Sequence, residues 1–166
     1  MGININQIFS VSDLGRCGTA ERNKKMQEIE ILNHIHQNAD MARDSLNHIL
    51  DLSHSADFTQ AVQSQIKEYQ GACDLSEQML EARGEKSENA RMMPKMMADI
   101  TSWMRALKDP TDSQLAEMVI EGSTMGITKL TRQIHDYTGD DKEVLSFAKD
   151  QVKREQDNIE KMKTFL

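Results

Sequence analysis

The chain is poor in residues that break helices. It has two prolines and eight glycines among 166 residues, so most of its length is free to be regular. Aromatics are scarce too, at four Phe, two Tyr and one Trp. A core must therefore be built from aliphatic side chains and Met. The two cysteines, Cys17 and Cys73, make neither a disulfide framework nor a CxxC motif, and a reducing cytoplasm is the default location. No apolar run approaches the ~20 residues that span a bilayer. The opening "MGININQIFSVSD" lacks a basic start and a continuous apolar stretch, so it is not read as a signal peptide. It carries Gly2, but Asn6 stands where a myristoylation signal wants Ser or Thr. Positive charge is in deficit: the net charge of −7 argues against nucleic acid and anionic membranes as partners. No Gly-rich phosphate loop and no GxSxG motif occurs.

What is present is a repeat. Residues 65–70 read "QIKEYQ" and residues 151–156 read "QVKREQ". Extending the match aligns Phe58 with Val144, Val62 with Ala148, Ile66 with Val152, Cys73 with Ile159 and Leu80 with Leu166. This spacing is helical, so both segments are expected to be amphipathic helices. Each is preceded by another stripe. Ile29, Leu32, Ile35, Ala39, Ala42, Leu46 and Ile49 form the first, with Thr19 as its cap. Leu115, Val119, Gly122, Gly126, Leu130, Ile134 and Tyr137 form the second, with Asp112 as its cap. "SHSAD" and "TGDD" close them, and such short turns make antiparallel hairpins.

The expected layout is a tail over residues 1–18 and one domain over 19–166. That domain divides into a hairpin 19–84, a crossover 85–111 with a short helix near 93–107, and a hairpin 112–166. Two hairpins joined by one long crossover is the ferritin-like topology. The expected fold is thus an all-α, ferritin-like up-down four-helix bundle.

The last helix, "EQDNIEKMKTFL", resembles that of a family of small, His- and Met-rich ferritin-like bundles. Their pattern is Gln-x-x-Glu-Ile-x-x-Met-x-x-Trp-Leu. Ile159, Met162 and Leu166 stand at matching places, with Phe165 for the Trp, Glu155 for the Gln and Asn158 for the Glu. Met118 and Val119 resemble the start of the family's Met-Ile-x-His-His segment. The resemblance implies the bundle fold, and in the family it implies metal chemistry through the His pair. Here Glu121 and Gly122 replace that pair. A di-metal centre of ferritin-like type also needs Glu-x-x-His on two helices, and no Glu-x-x-His occurs in the chain.

Some polar residues need an account. Glu155 falls on the apolar stripe of the last helix, and its counterpart in the repeat is Tyr69. His36 and Glu121 border the stripes of the first and third helices. A buried carboxylate needs a partner or a proton. His36, Tyr69, Glu121 and Glu155 are therefore the candidate cluster. It is either a remnant metal site (His36, Glu121, Glu155) or a hydrogen-bonded group that fixes helix register, and the second reading is adopted. Most of the other histidines, His34, His48, His54 and His135, are assigned to the surface. Met92, Met93, Met96, Met97 and Met104 crowd the crossover. Thioethers suit Cu(I), but neither His nor Cys is adjacent, so the Met face is read as packing. Cys73 is read as inert core, and Cys17 as an incidental thiol.

The function expected is a non-enzymatic binding or assembly module, without cofactor, that acts as a homodimer or with a protein partner. A first helix over residues 19–52 would run ~50 Å against ~40 Å for the second, and a second copy would cover the overhang. The alternatives are an iron, manganese or copper protein with a non-standard site, and a small-ligand carrier with its pocket near Gly122 and Gly126.

Overall fold

The computed structural model describes residues 11–88, 102 and 109–166, with backbone alone for 11–17. These residues form four helices: α1 Val11–Leu50, α2 Ala56–Glu81, α3 Asp112–Asp136 and α4 Lys142–Lys163. No strand occurs among the described residues, so the fold is all-α. None of their helices is long and apolar enough to cross a membrane. The expected crossover helix at 93–107 and the methionine cluster lie outside the described residues, as do residues 1–10 of the tail.

Two expected caps are corrected. Helix α1 begins at Val11, so Thr19 lies inside it. Helix α3 is capped by Thr111, whose hydroxyl accepts the Gln114 N–H while the Gln114 side chain returns to the Thr111 N–H. This is a capping box. Asp112 is taken instead by the α1–α2 turn, where it accepts the backbone N–H groups of His54 and Ser55 at 3.0 and 3.1 Å. Ser55 caps α2, and Asp141 caps α4 by accepting the N–H groups of Glu143 and Val144.

The Asp112 contact sets the topology. It places the start of α3 beside the start of α2, so the two helices run the same way. The end of α2 and the start of α3 therefore lie at opposite ends of the bundle. Helix α4 runs antiparallel to α2: Phe58 meets Phe165 edge-to-face at 5.2 Å, Tyr69 meets Glu155, and Arg83 meets Asp141. Helix α3 runs antiparallel to α1, with Gln27 donating to the Asp136 carbonyl at 3.2 Å.

The core is aliphatic, as composition requires. Leu32, Phe58, Val62, Leu80, Leu115, Ala116, Val144, Ala148 and Met162 have no exposed surface. The repeat is a repeat of burial as well. Every buried residue of α4 has a buried counterpart 86 positions earlier in α2. The first Gln of each hexapeptide, Gln65 and Gln151, points inward, while Lys67 and Lys153 are exposed.

One end of the bundle is tied by charge. Arg83 follows α2 and pairs with Asp141, lies 3.8 Å from Glu28 of α1, and donates to the Met79 carbonyl. Tyr137, which ends α3, donates to Glu28 at 3.2 Å and accepts the Asp141 N–H at 3.0 Å. The ends of all four helices are thus linked through Arg83, Glu28, Asp141 and Tyr137. Burial raises the Asp141 carboxyl, but Arg83 and the N–H groups at the start of α4 outweigh it and leave it below the usual range. Arg83→Met keeps the stem and loses the charge. It is expected to cost about 1–2 kcal/mol, since water still reaches the two carboxylates. Thermal unfolding should show this as a fall in Tm of roughly 5 °C.

Candidate functional site

Halfway along the bundle the apolar core gives way to a polar layer. Its centre is Glu155 of α4, 6% exposed. Tyr69 of α2 donates its hydroxyl to Glu155 Oε2 at 2.7 Å, and Asn38 of α1 donates to Oε1 at 3.3 Å. The Ser123 side chain of α3 adjoins the same pair and bears on the titration of both. Each helix therefore contributes one member. The contact of Tyr69 with Glu155 joins positions equivalent in the repeat, as a two-fold axis between α2 and α4 would require.

The electrostatics follow from the dry surroundings. Burial raises the Glu155 carboxyl, Tyr69, Ser123 and Asn38 pull it down by hydrogen bonding to the ionised form, and Glu68 adds a further rise. The net direction is up. The Tyr69 phenol is pushed well up by burial and by the facing Glu155, so it stays a donor. His34 of α1, 8% exposed, is lowered to about 4 by burial and by Lys129, against the Gly126 carbonyl. It is neutral at pH 7.

Of the four residues expected here, Tyr69 and Glu155 are brought together. His36 is buried but elsewhere. Its Nδ1 lies 3.2 Å from Ser76 Oγ and 3.3 Å from the Cys73 carbonyl, which places it in the seam between α1 and α2. Glu121 is exposed and takes no part. His34 is not on the surface, contrary to expectation. Asn38, Ser123 and His34 are the members that sequence reasoning missed. Each lies one position off a residue of the expected stripe, namely Ala39, Gly122 and Ile35.

The metal chemistry implied by the resemblance does not fit these donors. His36, Glu121 and Glu155 are not one site. Among the described residues no three of His, Cys, Asp and Glu come close enough to hold an ion. The space for a carried ligand is small as well. Gly126 lacks a side chain, but Asn38 fills the gap, with Oδ1 2.8 Å from where a Cβ would stand. Gly122 faces open space. The cavity beside Glu155 is about 10 Å3, enough for one water. No cysteine lines it among the described residues. Burial pushes the Cys73 thiol up to about 11, so it is not a thiolate at neutral pH. Comparison with protein-family models, with curated proteins and with solved structures returns no match.

Proposed function

We propose that the chain is a ferritin-like bundle whose centre holds a hydrogen-bonded layer instead of a di-metal site. It works as a non-enzymatic assembly module whose partner is a second copy of itself, in the cytoplasm. The parallel course of α2 and α3 around residues 85–111 supports the ferritin-like reading. The assembly reading rests on one observation, the reach of α1. That helix has 40 residues and α2 has 26, or ~60 Å against ~39 Å. The ion pair of Lys24 with Asp140 at 3.4 Å marks the level at which α4 begins. Residues 11–23 continue beyond it for ~20 Å, and residues 18–23 are exposed.

A helical extension of this length is marginal alone in water. Gly15 and Gly18 weaken it by about 1 kcal/mol each relative to Ala. It gains stability by lying against another surface, and an equivalent extension from a second copy supplies one through closed two-fold pairing. In sedimentation equilibrium at micromolar concentration the protein is expected to be a dimer. Deleting residues 1–23 should give a monomer whose circular dichroism keeps the bundle's helical signal. A full-length chain that stays monomeric as concentration rises would sink the proposal.

A further inference from the structure

The cavity between the hairpins is lined by His34 and Asn38 of α1, Tyr69 of α2, Gly126 of α3, and Gln151 and Glu155 of α4. Two of these side chains carry a buried polar atom with no partner in the protein: Nε2 of His34 and Nε2 of Gln151. Both residues are over nine-tenths buried, at 8% and 9% exposed. An unmade hydrogen bond in such a place is costly, so two beside one cavity call for a common partner.

The two atoms are complementary in kind. The His34 ring is neutral and has the Gly126 carbonyl as its backbone partner; since Nε2 has no partner, the ring proton is assigned to Nδ1. Its Nε2 therefore presents a lone pair. The Gln151 amide presents N–H. A ligand must donate to the first and accept from the second, and must fit about 10 Å3. Glu155, on the same wall, offers an acceptor for a second proton. A cation accepts nothing from an N–H, and a larger hydroxylic molecule does not fit.

We propose that this cavity is a binding site for one water, which bridges His34 to Gln151 and Glu155 and so joins α1 to α4 across the seam between the two hairpins. Three hydrogen bonds is the usual complement of a buried water. The bridge completes the polar layer: Tyr69 and Asn38 hold Glu155 directly, and the water holds it to His34.

A crystal structure of the full chain that resolves single waters tests this. One peak is expected within about 3.2 Å of both His34 Nε2 and Gln151 Nε2. Gln151→Met keeps the shape and removes the donor, and in that variant the peak should be lost. If Gln151→Met fails to fold, the wild-type map decides alone. Three results would overturn the assignment. One is a Gln151 amide bonded directly to His34 or Glu155 with no peak between them. Another is an ion with short oxygen contacts in the cavity. The third is a peak unchanged in Gln151→Met.

Discussion

Lowering the pH from about 6.5 to about 4 is expected to remove about 3 kcal/mol of folding stability through His34 alone. The ring is held neutral in the folded chain, first by burial and then by Lys129, and takes a proton only near pH 4 against the ordinary 6.5. Between those values the unfolded chain binds the proton and the folded chain does not, so stability falls as the pH falls. The gap of about 2.5 units, at 1.36 kcal/mol each, gives the magnitude. Glu155 acts in the opposite sense. Its folded pKa is raised, so its ionised form burdens the fold at neutral pH, and the burden lifts as the pH drops through the folded value. Asp112 and Asp141 are depressed; their contribution is present above the unfolded pKa and is lost below it, as the pH falls through the folded value. Burial alone would raise Asp112 as well, but the N–H groups of His54 and Ser55 outweigh it.

Subtraction isolates the histidine. His34→Gln keeps a donor for the Gly126 carbonyl and does not titrate. Denaturant unfolding of both proteins, from about pH 7 to about pH 4, should give curves that converge as the pH falls. Parallel curves would mean that His34 titrates normally and is not buried as described.

The histidine also shows where periodicity stops being informative. His34 and His36 are two apart, and a helix that buries one stripe cannot bury both. Helix α1 buries every residue from Ile31 to His36. The other helices pack around it, and the chain after α2 crosses it there. The Glu88 N–H donates to Asn33 at 3.0 Å, and Gln37 donates to the Glu88 side chain at 3.1 Å. A central helix has no free face, and sequence spacing does not reveal which helix is central. Glu155 was legible for the opposite reason. It interrupts the single buried stripe of α4 at a position whose repeat mate, Tyr69, is also polar. Gly126 was legible as a gap but not as a filled one, because the side chain that fills it belongs to Asn38, on another helix and one position off the expected stripe. Thr111 and Asp112 are both good cap formers, and only the neighbouring turn decides between them, by recruiting Asp112.

Tyr69→Phe is expected to cost about 2–3 kcal/mol, and adding Glu155→Leu should restore most of that loss. The single change removes one oxygen and leaves the packing of a ring that is 6% exposed. It also takes the 2.7 Å donor from a buried carboxyl. Leaving a buried charged acceptor short of a donor costs more than the bond contributes when made. Asn38 remains, at the longer 3.3 Å. The carboxyl can escape part of the penalty by taking a proton, so the deficit should shrink as the pH is lowered through its raised folded pKa. The double variant removes the acceptor along with its donor and replaces a polar pair by apolar side chains of similar size, a change that is often neutral or stabilising. Glu155→Leu alone should fold, because replacing a buried carboxyl by a packed apolar side chain is often tolerated. The coupling between the two sites, read from a double-mutant cycle of denaturant unfolding, should be about 2 kcal/mol. Additive effects would mean that the two side chains do not bond, and the polar layer would lose its central contact.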